Sequence, residues 1–307
     1  MSAWYPRVTV PATSANLGPG FDAFGVAIAV HFTVTAGPRE AQRIVPTGEG
    51  EGELPTDDRN LVWRALRRYC DRFGVDVPDV TVMAENEIPL ERGMGSSAAA
   101  AVAGAALGRA LTDGGGKDQQ LIDLAAELEG HPDNAAAAVL GGLVVCQGGV
   151  ATRLEPTDRL VPVLCVPADR QSTITARAVL PETVSLKEAA ANGARAAIVL
   201  AGLAGLIAWD PAAMWDVLHE PPRLEMMAPS GRLVRDLRAA GIGACLSGAG
   251  PSVLALIESG NEVGLGVIRS VAGQEAGKQF DVRPSRWDLA GASVGRDARI
   301  SGPCRTN

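Results

Sequence analysis

Two serine hydroxyls follow a glycine pair in Pro89-Leu-Glu-Arg-Gly-Met-Gly-Ser-Ser-Ala-Ala-Ala-Ala-Val-Ala-Gly104. Gly93 and Gly95 permit positive φ and a close backbone approach. The alanine-rich run beyond them has helical composition, so the loop would present unpaired N–H groups at a helix N-terminus. That is an anion site without a lysine, and Ser96 and Ser97 add hydroxyls suited to a phosphate or its Mg2+. The same residues also fit an ordinary strand–loop–helix connection with serine N-caps. A second segment, Pro11-Ala-Thr-Ser-Ala-Asn-Leu-Gly-Pro-Gly-Phe-Asp-Ala-Phe-Gly25, is too glycine-rich for a core strand and too apolar for a solvated loop. Its Asn16 and Asp22 suit a ligand's ammonium or hydroxyl, or cap their own backbone as turn residues. A third, Leu246-Ser-Gly-Ala-Gly-Pro-Ser-Val253, reads as a second backbone nest or as a tight turn.

The elements that must position these loops come from a chain of 307 residues, roughly two domains at ~150 residues each. A boundary is expected near residue 160, giving units 1–160 and 161–307. Its 36 glycines and 20 prolines stay below low-complexity composition, so the glycine excess belongs to particular loops. A net charge of −7 speaks against generic nucleic-acid binding. Lys117, Lys187 and Lys278 are the only lysines, and none follows a Walker-type glycine loop or the strand motif of protein kinases. Cys70, Cys146, Cys165, Cys245 and Cys304 never fall in Cys-x-x-Cys spacing, which predicts reduced, buried thiols rather than disulfides or zinc. The N-terminus has no signal-peptide pattern. The long uncharged stretches 134–152 and 239–257 are broken by glycine pairs and polar residues, unlike membrane spans. A soluble cytoplasmic protein is expected.

Strands are predicted at Arg7–Pro11 and Gly25–Thr35, with a turn-rich stretch between them and a loop over 39–58. The apolar spacing of Leu61, Ala65, Leu66, Tyr69 and Phe73 predicts a helix over Asn60–Phe73. A strand at Val77–Ala84 and helices at Ser96–Leu111 and Lys117–Glu129 follow. The run Ala135–Gln147 should begin helical and finish as a strand. Beyond it come a strand at Val161–Pro167, helices at Ala189–Trp209, Pro211–Leu218 and Ser230–Ala240, a loop at Gly241–Gly250 and a strand at Ser252–Ile257. The tail after about Ile300 is expected to be disordered.

Taken together and in order, the three glycine-rich segments resemble the GHMP kinases, the family of galactokinase, mevalonate kinase, phosphomevalonate kinase and homoserine kinase. Pro11–Asp22 and Glu129-Gly-His-Pro-Asp-Asn134 are similar to the homoserine kinase branch in particular. Met94 stands where leucine is usual, a volume-conserving exchange. The resemblance spans nearly the whole chain. It implies an α+β fold of two domains: an N-terminal domain like ribosomal protein S5 domain 2, with a left-handed βαβ unit, and a C-terminal ferredoxin-like α/β sandwich. It further implies ATP and Mg2+ as cofactors, L-homoserine as the small-molecule substrate, O-phospho-L-homoserine as product and a homodimer. Alternatives are a related kinase for another small alcohol such as L-threonine, or a metabolite sensor keeping the fold without catalysis.

Residue by residue, the resemblance implies that Pro89, Arg92, Gly93, Met94, Gly95, Ser96, Ser97, Ala98 and Ala99 wrap the ATP phosphates, with Ser247 and Gly248 close by and Asn60 near adenine. Mg2+ would sit between Ser97 and Glu129, or Glu127 in its place. Asn16 and Asp22 would hold the amino group. His131, Asp133 and Asn134 would line the hydroxyl side, Arg177 and Arg223 would clamp the carboxylate, and Thr173 would face the γ-phosphate. At the reaction centre stand Asn134, Asp133, Thr173 and Arg177. Related kinases have an aspartate at the place of Asn134, whose amide takes no proton at neutral pH. Transfer by positioning and electrostatics without a dedicated base is therefore the favoured expectation; a base role for His131 or Asp133 is the other.

Overall fold

The computed structural model describes residues 3–112, 114–274 and 280–302. Chain order runs β1 (Ala3–Ala15), β2 (Phe24–Pro38), β3 (Ile44–Gly48), α1 (Leu61–Phe73), β4 (Val80–Asn86), α2 (Ser96–Leu111), α3 (Asp118–Glu129), α4 (Asp133–Leu140), β5 (Leu143–Gln147) and β6 (Val150–Leu154). The second half holds β7 (Leu160–Pro167), α5 (Thr173–Ala178), α6 (Leu186–Leu203), a 3-10 turn (Pro211–Met214), α7 (Glu220–Met226), α8 (Ala228–Ala239), β8 (Gly243–Leu246), β9 (Val253–Glu258), α9 (Glu262–Gln274), β10 (Phe280–Pro284) and β11 (Ser293–Gly302).

Two sheets organise these elements, in keeping with the expected α+β class. The first has the order β11-β1-β2-β4-β3, with β5 and β6 attached beside β2. Its pairs are antiparallel except β3 with β4, which α1 connects as a crossover. Helices α2 and α4 lie against β1 and β2, and α1 and α3 pack against α2. The second sheet, β10-β7-β9-β8, is antiparallel, with α8 and α9 against it. Its last strand is followed by a return: β11 pairs with β1, so the end of the chain closes the first sheet. This pairing carries backbone order through Gly302, past the predicted start of a disordered tail; residues 303–307, with Cys304, lie outside the described residues. Cys70, Cys146, Cys165 and Cys245 are buried and free. Burial pushes the thiol of Cys165 up to about 12 and that of Cys146 to about 11, which suits inert core residues.

Helix α1 starts where an asparagine cap stops. The Asn60 side chain accepts the Val62 N–H at 3.0 Å and donates to Pro55 O at 2.7 Å. Helix α2 is almost all small residues, and this lets α1 ride on it closely. A Cβ at Gly104 would land on the Val62 carbonyl oxygen. Several predicted elements differ. The stretch 39–58 contains β3, because Ile44 buries fully beside β4 although the stretch is rich in Gly, Pro and charged residues. The stretch Gly241–Gly250 contains β8, and Pro211–Leu218 forms only a single 3-10 turn. Residues 12–15, read as turn, continue β1 past a bulge at Pro11/Ala12.

Gly104→Ala should therefore lower stability by about 1–3 kcal/mol, the usual range for overpacking. Gly266→Ala on α9, where an added Cβ meets nothing within 4 Å, should be neutral or stabilising. Urea midpoints of the two variants against the parent check the contrast.

Candidate active site

The three glycine-rich segments meet. Gly93 (φ 71°) and Gly95 (φ 68°) turn the loop in the left-handed region, and a side chain at Gly93 would strike the Ser247 carbonyl. The Ser247 hydroxyl donates to Gly93 O at 2.7 Å, and Gly248 N–H donates to Ala15 O at 3.1 Å. Asn16 completes the seam: its Nδ2 donates to Gly248 O at 2.8 Å, while its Oδ1 accepts the Asp22 N–H at 3.1 Å. The first intrahelical bond of α2 runs from Ala99 N–H to Gly95 O at 2.8 Å. The N–H groups before it therefore face the cavity at the positive end of a 16-residue helix.

That cavity, about 400 Å³, lies between the first sheet's helices and α5 of the second half. Pro89, Arg92, Gly93, Met94, Gly95, Ser96, Ser97 and Ala98 line one end; Asn16, Asp22, His131, Asp133, Asn134, Thr173, Arg177, Arg223 and Gly248 line the other, with Glu129 between them. Ala99 is buried in the helix just beyond, and Ser247 sits behind the loop as its brace. Ser97 Oγ donates to Glu129 Oε1 at 2.5 Å. Glu127 instead faces Arg68 and Arg72 on α1. Arg92 meets the cavity, yet its guanidinium donates to the carbonyls of Leu90, Pro167 and Ala168.

Polar contacts at the end away from the glycine loop are specific. Asp133 Oδ1 accepts the Asn134 N–H at 2.7 Å and Asn134 Nδ2 at 3.2 Å, and faces His131 Nδ1 at 2.9 Å. Thr13 Oγ1 donates to Asn134 Oδ1 at 2.7 Å, which fixes the amide's orientation. Arg177 holds Asp22 in a two-pronged pair at 2.7 and 3.0 Å. Arg223 is 2% exposed and has no carboxylate in ion-pair contact among the described residues. A second cavity of about 400 Å³ adjoins through Glu91, Ser96 and Ser97. Apolar Phe32, Leu54, Leu61 and Val62 line it together with Asn60, and the Glu53–Arg170 pair stands at its edge.

A family model for the GHMP kinases N terminal domain matches residues 60–142, and one for the GHMP kinases C terminal region matches 185–265. Homoserine kinase of Streptomyces avermitilis is 45% identical over 296 residues, covering 94% of this chain and 95% of that one. The chain belongs to the GHMP kinase family. Among solved structures, homoserine kinase from Cytophaga hutchinsonii superposes with a TM-score of 0.81 at 27% identity, over 94% of this chain and 97% of that one. The mevalonate kinase of Methanococcus jannaschii shares the fold, with a TM-score of 0.63 at 15% identity over 92% of this chain and 98% of its own.

The site also brings in residues that carry no sequence signal. Thr13 falls in the stretch read as turn and gives no sign of a role until it reaches Asn134. His219 and Phe21 stack at 5.1 Å behind the cavity. Glu129 and His131, both lining the pocket, are displaced from their ordinary ranges. Burial raises the carboxyl of Glu129, with the Ser97 hydroxyl opposing. The hydrogen bond to Asp133 raises His131, against the effect of burial.

His131 should thus titrate above 6.5 in an NMR pH series, and Asp133→Asn should bring it back down. A raised pKa in the folded state stabilises fully below the unfolded value of 6.5 and fades as pH rises through the folded value. The stability gap between parent and Asp133→Asn should accordingly be widest below pH 6.5 and narrow above it. A gap that widens with rising pH would contradict this assignment.

Proposed function

We propose that this GHMP kinase transfers the γ-phosphoryl group of ATP to the side-chain hydroxyl of L-homoserine, giving O-phospho-L-homoserine and ADP on the route from aspartate to threonine. The observation that carries the reading is a buried guanidinium, Arg223, in the same cavity as the N-terminus of α2. Asp22, Asp216 and Glu220 act on it from a distance, but no described carboxylate is in ion-pair contact with it, and an amino acid carboxylate would supply that contact. Asp22 and Arg177 now hold each other; a zwitterion offers each of them its complement, ammonium to Asp22 and carboxylate to Arg177. Mevalonate has no ammonium to offer. The identity to curated homoserine kinases supports the same substrate.

At the other end, the N–H groups of 95–98 would bind β- and γ-phosphate oxygens, and the apolar second cavity would take adenine beside Asn60. Among the described residues no cluster of three metal-binding side chains occurs. Mg2+ needs no such cage: it commonly takes one or two protein oxygens and completes its shell with phosphates and water. Ser97 and Glu129 fit that donor set. When bound there, Mg2+ would neutralise charge on the phosphates. Arg177 and Thr173 on α5 would face the transferred group, and Asn134, fixed by Thr13 and Asp133, would orient the acceptor hydroxyl. Asp133 already accepts three donors on one oxygen, so it serves best as the brace of His131 and Asn134. Attack then depends on alignment and charge, with the hydroxyl proton leaving on phosphate.

We further place the division between the two units near residue 160, the enzyme in the cytoplasm and its assembly as a homodimer. No described helix is long and apolar enough to cross a membrane.

ADP release should require homoserine, ATP and Mg2+ together, and should be weak or absent with threonine, mevalonate or no acceptor. Equal turnover of threonine would overturn the assignment of substrate; no turnover with any acceptor would favour a sensor. Asp133→Asn should raise the homoserine KM while leaving kcat within about tenfold, as loss of a positioning hydrogen bond does. Loss of most of kcat at unchanged homoserine affinity would instead make Asp133 the base.

A further inference from the structure

His219 is wholly buried and sits one step behind the cavity. It lies at the N-terminal cap of α7, and its backbone is pinned there. The N–H groups of Leu218, His219 and Glu220 all donate to Asp216 Oδ2, at 3.0, 2.7 and 2.8 Å. Its ring reaches in two directions, and Nε2 also lies 3.7 Å from the buried Asp216 Oδ2. Nδ1 faces Arg223 Nη1 at 3.0 Å, and Nε2 faces Gly18 O at 2.9 Å. A guanidinium only donates and a carbonyl only accepts. Nδ1 is therefore the acceptor and Nε2 carries the hydrogen, which fixes the tautomer.

Around this ring the substrate end of the cavity is assembled. Gly18 belongs to the Asn16–Asp22 segment, and Phe21 of the same segment stacks on the His219 ring. The guanidinium of Arg223 lies 5.6 Å from the Phe21 ring centre, and so does that of Arg177. Arg223 Nε donates to Ala176 O at 3.0 Å. With Nη1 turned to His219, Nη2 has no protein acceptor among the described residues, on a side chain that lines the cavity.

The choice of histidine matters for charge. A carboxylate at this place would also hold Arg223, but it would neutralise the guanidinium and compete with any anionic ligand. An imidazole that accepts through Nδ1 orients the guanidinium and leaves its charge unspent. A hydrophobic residue would leave Nη1 only its long contact to Gly248 O at 3.5 Å, too weak to hold its direction.

We propose that His219 is a positioning residue that sets amino acid specificity: through Nδ1 it aims the guanidinium of Arg223 at the substrate carboxylate, and through Nε2–H it ties the Asn16–Asp22 segment to the same frame. The kinetic part of this inference rests on the homoserine reading; the hydrogen-bond assignment does not.

The test compares two acceptors, homoserine and 3-aminopropan-1-ol, which is homoserine without its carboxylate. His219→Leu should raise the homoserine KM about 10–100-fold, the effect expected for one hydrogen bond to a charged group. Its kcat and the ATP KM should stay within about threefold, and kcat/KM for 3-aminopropan-1-ol should be nearly unchanged. His219→Asn, whose Oδ1 can replace Nδ1 as acceptor, should recover most of the loss. Equal losses on both acceptors, or no loss on homoserine, would overturn the proposal. Nitrogen-15 shifts of the His219 ring in the parent protein give a measurement that needs no substrate and no variant. An unprotonated Nδ1 and a protonated Nε2 are expected; hydrogen on Nδ1 would overturn the proposal. If the parent fails to phosphorylate homoserine, the substrate assignment falls, and the ring measurement still decides the role of His219.

Discussion

A phosphate site without lysine has to be made of backbone, and backbone can converge only where no side chains intervene. This constraint governs the whole cleft. Gly93 must lie against the carbonyl of Ser247, Gly95 against Thr13, and Gly248 against Gly93, so three loops far apart in sequence become one surface. Helix α2 has to end its N-terminus at that surface, and its small residues let α1 and β1 pack close enough to hold it there. The alanine-rich sequence of α2 and the glycines of the loops are thus two halves of one demand for proximity. The N–H groups so delivered carry fixed partial charge and cost no side-chain entropy to order.

The opposite end of the cavity is organised by charge. Asp22 and Arg177 form an exposed two-pronged pair, which water screens and which is cheap to exchange. Arg223 is different, being buried with no described carboxylate in ion-pair contact, although Asp22, Asp216 and Glu220 act on it from a distance. Burial lowers its pKa, and the nearby Arg177 adds to the effect. Two arginines in one pocket therefore play unequal parts. One is a replaceable contact on a short helix of six residues, and the other is a buried charge held in the scaffold without a direct ion pair. That charge would give direction to a zwitterion, because only one end of such a molecule can pair with it.

Much of this was legible in the sequence, and the remainder was hidden for identifiable reasons. Helix α2 was read with the boundaries it has, since Gly95 and the alanine run are local signals. Its neighbour α1 was visible through periodicity, though the capping role of Asn60 was not. The glycine segments announced themselves by composition. Strand β3 did not: Ile44-Val-Pro-Thr-Gly48 has weak local propensity and owes its conformation to parallel pairing with β4, which no local pattern encodes. Strand β8 was masked by the glycines on either side of it. The return of β11 to β1 links residues nearly 300 positions apart, beyond any window. Within the site, residue types were readable and pairings were not. Asp22 and Arg177 were both marked as ligand residues, yet nothing in the sequence says that they face each other. His219 gave no signal because a lone histidine before Glu-Pro-Pro-Arg resembles any helix-start residue until Arg223 and Gly18 are seen on its two nitrogens.

The shortage of lysine also acquires a structural sense. Arg92 spreads its donors over Leu90, Pro167 and Ala168; Arg238 serves Met214, Ala244 and Glu220; Arg153 serves Leu140 and Leu289. Each joins separate segments through carbonyls in a fixed fork, a task for which an ammonium's three rotating donors are less suited. Arg92 is the most consequential of these, because it fastens the phosphate loop to the end of β7 in the second sheet. The loop that would hold triphosphate and the segment leading into α5 are thereby one mechanical unit. Placing the phosphates then also places Thr173 and Arg177, and alignment for in-line transfer follows from the connection rather than from any single side chain.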